Sequence, residues 1–240
     1  VNPLSDGVRQ GAFDGMVKAE EDPNVKAIVI TGKGRAFIAG ADISEFGGTG
    51  EGHSLNEVFR KIEFSSKPVV AAINGLALGG GLETALCCNY RIASKEAFMG
   101  LPEVNLGLLP GAGGTQRLPR LIGPSEALKM IISGAHISAH KACSLGVVDL
   151  ISDNILEDSI KFALDKAQSV DHHPKVRDLN EKVIEARGSD NVLIEAKALA
   201  AKTRKGQFAP GQIIKCIEAA IDCDDFDEGL KKEGEYFLEC

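Results

Sequence analysis

The sequence predicts an α/β fold, and three observations support that prediction. Two short apolar runs, at residues 26–31 and 68–73, are continuous rather than alternating, as in strands buried on both faces of a parallel sheet. Each run leads through glycine-rich segments into a stretch with helical periodicity. A cycle of strand, turn and helix that repeats without a linker-like change in composition is typical of α/β proteins.

The first elements can be taken in chain order. Ser5 is placed to cap a helix that ends before Pro23, and the strand at 26–31 follows. A polar glycine segment then precedes a helix over 55–62, whose apolar residues share one face. The strand at 68–73 completes the second cycle.

The stretch 74–103 contains the most informative residues. Three consecutive glycines at 79–81 lead into a helix over 82–88, and strands are expected at 90–94 and 97–99. Because the first N–H groups of a helix have no partners within it, Gly80 has a backbone donor to offer. Two carboxylates, Glu83 and Glu103, lie in the same stretch.

The remainder of the chain divides into an irregular loop and a helical part. Prolines and glycines make residues 100–123 irregular, with Thr115 expected to cap a short helix. Ser138 and Gly146 bound a further helix, and 147–151 reads as a last strand. Amphipathic helices follow over 192–205, 211–223 and 226–238. We therefore expect a core over 1–152 and a helical region over 153–240.

Composition excludes several classes of function. At 44% hydrophobic and 25% charged residues the chain is typical of a globular protein, and its apolar runs fall far short of the ~20 residues that span a bilayer. A net charge of -7 argues against nucleic acid as a partner, because phosphate binding needs clustered Lys and Arg. The chain has no P-loop and no dinucleotide fingerprint. We expect no nucleic acid and no membrane partner.

Cysteine and histidine usage favours neither disulfides nor a metal. The six cysteines form no CxxC pair, which fits free thiols in a reducing compartment. No secretory leader is visible, so a cytosolic or organelle-matrix protein is expected. His136 and His140 are spaced as HxxxH, but Ile137 stands where a zinc protease needs Glu. No metal site is predicted.

Two glycine-containing loops and two acidic residues suggest a catalytic site. Backbone N–H groups at Ala41 and Gly80, aimed at one point, would form an oxyanion hole that stabilises charge on a carbonyl oxygen. Carboxyl groups in an apolar pocket can move protons, since burial brings their pKa toward neutrality. Taken singly, Glu83 is also a favourable first-turn acid and Glu103 an ordinary loop acid. Only the conjunction of the loops favours catalysis.

Three long motifs in order carry a family resemblance. They are AFIAGADI at 36–43, PVVAAINGLALGGGLETAL at 68–86 and GLPEVNLGLLPGAGGTQRLPRLIG at 100–123, supplemented by SAHKACSLGVVD at 138–149. With these segments the chain resembles the crotonase, or enoyl-CoA hydratase/isomerase, superfamily over nearly its whole length. The resemblance implies a ClpP-like spiral of ββα repeats with a C-terminal helical subdomain.

The resemblance also implies roles for individual residues. Ala41 and Gly80 match the oxyanion hole, Glu83 and Glu103 match the two catalytic glutamates of hydratases, and Gly111 matches a glycine of the water and acyl pocket. The coenzyme A contacts fall on Ala39, Asp42 and Ile43, and Ser44 stands where the family often has Lys. No bound cofactor is expected, since the substrate carries coenzyme A as a thioester.

A 2-enoyl-CoA hydratase of fatty-acid β-oxidation is therefore the leading interpretation, with possible Δ3-Δ2 isomerase activity. Alternatives are another crotonase-type hydrolase or isomerase and an RNA-binding homologue. Residues 207–240 resemble the region that joins hydratase to dehydrogenase in multifunctional fatty-acid oxidation enzymes, so a fragment of a longer chain is expected. The partner is either a second copy or that dehydrogenase domain. The compartment is the bacterial cytoplasm or a peroxisomal or mitochondrial matrix.

Overall fold

The structure, a computed structural model, describes residues 2–42 and 52–240. The predicted elements are present, with ends that differ by a few residues. The strands are β1 Ile28–Thr31, β2 Ala36–Ile38, β3 Val69–Ile73, β4 Leu76–Leu78, β5 Tyr90–Ser94, β6 Phe98–Gly100, β7 Ile137–Ser138 and β8 Leu150–Ser152. The helices are α1 Asp6–Glu21, α2 Leu55–Glu63, α3 Gly80–Cys87, α4 Gly114–Ile122, α5 Pro124–Ser133, α6 Ala139–Leu145, α7 Ile155–Ser169, α8 Glu181–Glu185, α9 Asn191–Thr203, α10 Ala209–Asp222 and α11 Phe226–Glu239. Short 3₁₀ helices span Glu103–Leu106 and Val176–Asp178.

Two four-stranded sheets form the centre of the fold. Their orders are β1-β3-β5-β8 and β2-β4-β6-β7, so each successive strand pair gives one strand to each sheet. Pairing is parallel except between β6 and β7. All five residues of β3 are buried, which explains why its apolar run is continuous. The α/β prediction and the repeated strand–strand–helix unit are confirmed.

Glycine permits the two sheets and α3 to approach closely. A Cβ on Gly81 would lie 2.0 Å from the carbonyl oxygen of Ile38, and one on Gly75 would lie 2.1 Å from that of Arg35. Both clashes are with backbone, which cannot move aside. Gly81 thus lets the first turn of α3 lie against the end of β2, and Gly75 lets the turn after β3 lie against the start of β2.

Helix starts agree only in part with expectation. Ser54 caps α2 in a full capping box with Glu57, and Ser138 caps α6 as predicted. Ser5 occupies the N-cap position of α1, but its side chain makes no capping hydrogen bond. The prediction that Thr115 caps a helix is wrong. Gly113 precedes the first residue of α4, and Thr115 lies inside that helix with its hydroxyl bonded to Glu233.

The C-terminal helices pack on the same hydrophobic core as the strands. Ile213 and Ile217 of α10 are fully buried and belong to one cluster with Leu118 of α4 and Leu128 of α5. Burial of such a side chain contributes about 1.5–3 kcal/mol. The predicted helical region therefore shares its core with the remainder of the chain. Across residues 2–42 and 52–240, no helix has the length and apolarity that a membrane span requires.

The six cysteines all carry free thiols. Cys87 and Cys88 are buried at the end of α3, where they pack as small apolar side chains. Burial raises the pKa of the Cys88 thiol to about 12, and it raises that of Cys87 well above its ordinary value. Neither thiol is therefore activated as a nucleophile.

Candidate active site

A cavity of about 610 Å³ opens where the ends of β2, β4 and β6 meet the first turn of α3. Its volume lies within the range of small-molecule sites. Its walls include Ala39, Gly40, Ala41, Leu78, Gly79, Gly80, Glu83, Pro102, Glu103, Leu109, Gly111, Ala112, His136 and Phe237. Six of the eight predicted site residues are in this group. Asp42 is not among the lining residues, and Ile43 lies outside the described residues.

One side of the cavity, here called the donor end, is formed by the backbone at Ala41 and Gly80. Gly80 is the first residue of α3, so its N–H has no helical acceptor four residues earlier. A Cβ built on Gly80 would lie 3.7 Å from the Ala41 nitrogen, which places the two residues side by side. The N–H of Leu4 donates to the Gly40 carbonyl at 3.0 Å and fixes the second loop.

The turn before Gly80 depends on glycine. Gly79 has φ 53° and ψ -125°, a backbone conformation that side chains strongly disfavour. A Cβ there would also lie 3.0 Å from Glu103 Oε1. Glycine at 79 therefore turns the chain from β4 into α3 and leaves room for a carboxylate. The glycine run identified in the sequence thus has a steric role beside its donor role.

A second group of residues, here called the acid end, comprises Glu83, Glu103 and the loop 111–115, whose last two residues form the start of α4. Glu83 projects from the first turn of α3 and is 3% exposed. Its Oε1 accepts hydrogen bonds from the N–H groups of Ala112 at 2.9 Å and Gly114 at 2.8 Å. Its Oε2 faces the donor end, because a Cβ on Gly80 would lie 4.0 Å from it. One carboxylate oxygen is thus held by backbone, and the other faces the cavity.

Glu103 begins the 3₁₀ helix that follows β6. Its Oε2 is buried and has no hydrogen-bond partner among the described residues. Burial raises the pKa of this carboxyl well above its ordinary range, and the negative charges of Glu83 and Glu233 raise it further. A buried carboxyl oxygen without a donor is most stable when it carries a proton.

The two acids have different surroundings. Burial raises the pKa of Glu83 as well, but the N–H groups of Ala112 and Gly114 and the positive charge of Arg117 oppose that rise. Glu103 has no comparable set of donors from neighbouring residues. The pair can therefore hold one proton between them, with Glu103 as the acid and Glu83 as the base.

Gly111 connects the acid end to the C-terminal helix. It lines the cavity beside Phe237 of α11, and a Cβ on Gly111 would lie 2.6 Å from the Phe237 ring. Glycine here allows α11 to close that side of the cavity. Neither Phe237 nor the buried Glu233 of α11 was selected as a functional residue from the sequence.

The sequence contains a pattern that could have identified Glu233 as a functional residue. Phe226, Gly229, Glu233 and Phe237 recur at helical spacing on one face of α11, so an acid occupies a position of the inward face. An unpaired acid among core positions of an amphipathic helix is expensive unless it has partners. An acid at an inward-facing position therefore indicates that Glu233 has specific partners in the fold.

The histidine pair carries no metal site. His136 lines the cavity, and His140 is the second residue of α6. Throughout residues 2–42 and 52–240, no group of three or more His, Cys, Asp or Glu side chains is arranged to hold a metal ion. His136 is therefore a wall residue in this structure.

Comparisons with known proteins find relatives of this chain. A model of the family described as enoyl-CoA hydratase/isomerase matches residues 1–212. The peroxisomal bifunctional enzyme of Danio rerio is 44% identical over 237 residues, which are 98% of this chain and 32% of that protein. The fatty acid oxidation complex subunit alpha of Shewanella sp. (strain MR-4) is 37% identical over 235 residues, 92% of this chain and 33% of that protein.

A solved structure is also similar to this chain. The enoyl-CoA hydratase from Bacillus anthracis superposes with a TM-score of 0.59 at 30% identity, covering 98% of this chain and 81% of that one. The chain spans about a third of the length of the curated relatives it matches.

Proposed function

Because this chain belongs to the enoyl-CoA hydratase/isomerase family, we propose that it adds water across the 2,3 double bond of a trans-2-enoyl-CoA thioester in fatty-acid β-oxidation. One observation carries the proposal: two backbone donors and two buried carboxyl groups face a single cavity. Relatives named as a peroxisomal bifunctional enzyme and a fatty acid oxidation complex subunit support the placement in β-oxidation.

The donor end would bind the thioester carbonyl. As water adds at C3, charge accumulates on the carbonyl oxygen, and the N–H groups of Ala41 and Gly80 stabilise the resulting enolate. One such donor is worth roughly 3–4 kcal/mol. Backbone donors suit this role because they do not titrate and are already oriented by the fold.

The acid end would move the protons. Glu83 Oε2 takes a proton from water as the oxygen attacks C3, while Glu103 gives its proton to C2 on the same face. Proton balance is kept because the proton that Glu83 gains replaces the one that Glu103 loses. Each such group commonly contributes ~10² to 10⁴ in rate. Turnover should need Glu83 ionised and Glu103 protonated, so it should fall at both acidic and alkaline pH.

Isomerisation is the second activity that the geometry favours. When the shared proton rests on Glu83, Glu103 Oε2, which has no partner among the described residues, can take a proton from C2 of a 3-enoyl substrate and return it to C4. The same donor end would stabilise the enolate. This Δ3-Δ2 reaction requires only one acid, whereas hydration requires both.

The wider context also belongs to the proposal. Residues 1–152 would form the catalytic core, with Ala39, Asp42 and Ile43 contacting coenzyme A, and residues 153–240 would cover it. No other bound cofactor is proposed. The full protein would continue into a dehydrogenase domain or form a homo-oligomer. It would act in a bacterial cytoplasm or an organelle matrix, with peroxisomal relatives favouring the peroxisome.

The test follows loss of the conjugated enoyl thioester of crotonyl-CoA. Wild type should turn over, whereas Glu83→Gln and Glu103→Gln should each lose ~10² to 10⁴ in kcat. Glu126→Gln is the matched control, since it removes a carboxylate from the exposed Glu126–Lys129 pair on α5. Turnover in both site variants equal to that of the control would exclude the two-acid mechanism.

A further inference from the structure

Helix α11 brings a third carboxylate to the acid end. Glu233 is fully buried, with 0% exposure. Its Oε1 accepts from the Gly113 N–H at 2.6 Å, and its Oε2 accepts from the Thr115 N–H at 3.0 Å and from the Thr115 hydroxyl. Gly113 and Glu233 are 120 positions apart in the chain. These bonds join the last described helix to the loop 111–115.

The N–H groups of this loop alternate between two carboxylates. Those of Ala112 and Gly114 donate to Glu83, while those of Gly113 and Thr115 donate to Glu233. Four consecutive donors are thus divided between α3 on one side and α11 on the other. Any rotation of the loop that broke the bonds to one acid would also disturb the bonds to the other.

Loss of Glu233 would leave two donors without acceptors. Gly113 and Thr115 are both buried, so no bulk water reaches their N–H groups. An unsatisfied buried donor is costly, and the loop would move to relieve it. That movement would carry the neighbouring donors away from Glu83 Oε1. The orientation of Glu83 Oε2 toward the cavity would then be lost.

The packing of α11 supports a precise placement of Glu233. A Cβ on Gly229, four residues earlier, would lie 2.4 Å from Gln116 Oε1, and one on Gly111 would lie 2.6 Å from the Phe237 ring. The helix therefore contacts the loop and α4 closely on both sides of Glu233. Glu233 itself is not among the residues that line the cavity.

We propose that Glu233 is a positioning residue for hydration: it holds the loop 111–115 so that alternate N–H groups orient Glu83 toward the attacking water. This inference rests on the proposed hydratase function. Glu233 acts through Glu83 and does not touch substrate. The C-terminal helix thereby becomes part of the active-site framework.

Glu233→Gln tests the proposal with little change in shape. A glutamine offers one acceptor oxygen where the carboxylate offers two, and its NH₂ group would face a backbone donor. We expect kcat for crotonyl-CoA to fall ~10 to 10²-fold, with KM within about twofold, because misplacing a catalytic group by ~1 Å can cost 10²-fold. Glu233→Asp, which keeps a carboxyl group but is too short to reach both N–H groups, should show the same pattern and serves if the glutamine variant does not fold.

A double variant separates positioning from general loss of structure. In a Glu83→Gln background, Glu233→Gln should lower kcat by no more than about threefold, since residues that act as one unit are not additive. Ile92→Ala, which removes a fully buried side chain of β5 in a separate cluster, is the stability control. It should lower the unfolding temperature while kcat at 25 °C stays within about twofold.

Hydrogen exchange supplies a readout that does not need turnover. Amide exchange in the peptide covering 111–115 should accelerate in Glu233→Gln and remain unchanged in Ile92→Ala. Unchanged exchange would overturn the inference even if crotonyl-CoA were not a substrate. The inference would also be overturned if the fold-losses in kcat of the two single variants multiplied in the double variant. Wild-type kcat in both Glu233 variants would overturn it as well. Absence of wild-type turnover would instead count against the proposed function alone.

Discussion

The donor end and the acid end of the cavity are built by different means. The donor end uses backbone N–H groups of two glycine-containing loops, at Ala41 and Gly80, and has no titratable group of its own. The acid end uses buried carboxylates whose protonation depends on their neighbours. It also draws on α11, which lies far away in the sequence.

This difference shows where the free energy of the site is concentrated. Backbone donors at a helix start carry no net charge, so burying one without a partner costs about 1–3 kcal/mol, less than burying an unpaired carboxylate. Buried carboxylates cost several kcal/mol each unless they have donors, so the acid end needs an extended supporting network. Substitutions should therefore affect catalysis alone at the donor end, but both catalysis and stability at the acid end.

The largest expected effect on stability comes from Arg117, a buried cation next to the acid end. Its guanidinium bonds Glu63 at 2.8 and 2.9 Å and reaches the Ala112 carbonyl at 3.3 Å, and both side chains of the pair are almost fully buried. Arg117→Met should lower the free energy of unfolding by about 3–5 kcal/mol, because it leaves Glu63 buried without its main partner. Urea denaturation measures this change.

The matched control removes an exposed cation. Lys129→Met breaks the pair with Glu126 on the surface of α5 and should cost no more than about 1 kcal/mol. Similar small losses in both variants would mean that the acid end does not depend on its buried charges.

At the donor end, Gly80→Pro should affect catalysis without a comparable loss of stability. Gly80 is the first residue of α3, where proline is tolerated, and a Cβ there would lie 2.9 Å from Leu4 Cδ1 in the proline and alanine variants alike. Relative to Gly80→Ala, which adds a similar Cβ but keeps the donor, kcat for crotonyl-CoA should fall a further ~10²- to 10³-fold. Equal turnover in the two variants would remove Gly80 from the oxyanion hole.

The pH dependence of stability should differ between wild type and Glu233→Gln. Burial, and secondly the charge of Glu83, raise the pKa of Glu233 from 4.5 to about 8. A carboxyl whose folded pKa is raised stabilises the fold at low pH, and this contribution is lost as pH rises from about 4.5 to about 8. The difference in unfolding free energy, wild type minus variant, should thus decrease with pH by at most about 1.4 kcal/mol per unit.

Denaturant curves at several pH values measure that slope. Subtracting the variant removes the contribution of titrating groups that do not interact with Glu233. A difference that stays constant between pH 4.5 and 8 would contradict the raised pKa of Glu233.

Local motifs in the sequence were sufficient to name Ala41, Gly80, Glu83 and Glu103, which the structure places around one cavity. Continuous apolar runs marked β1 and β3, and the glycines at 79–81 marked the start of α3. These features depend on residues within a few positions of one another. The same holds for the capping residue Ser138.

The sequence could not show which side chains converge from distant segments. Thr115 has the chemistry of a capping residue, but in the fold its hydroxyl bonds Glu233, because α11 places an acceptor there. Nothing in the local pattern around Thr115 contains that information. Nor does local pattern show that Phe237 closes the cavity, since this depends on how α11 packs against Gly111.

The smallest predicted effect concerns substrate length and again involves α11. Phe237 lines the cavity and packs against Gly111, so Phe237→Ala should enlarge the acyl side of the cavity. We expect the ratio of kcat/KM for decenoyl-CoA over crotonyl-CoA to rise about tenfold, since one methylene in an apolar pocket is worth about 1–3 kcal/mol. Phe98→Ala is the control, because Phe98 is exposed and outside the cavity walls. If the ratio is unchanged in Phe237→Ala, α11 influences the site through Glu233 alone. If the ratio rises, the helix has two separate roles: Glu233 positions the loop 111–115, and Phe237 limits the length of the substrate.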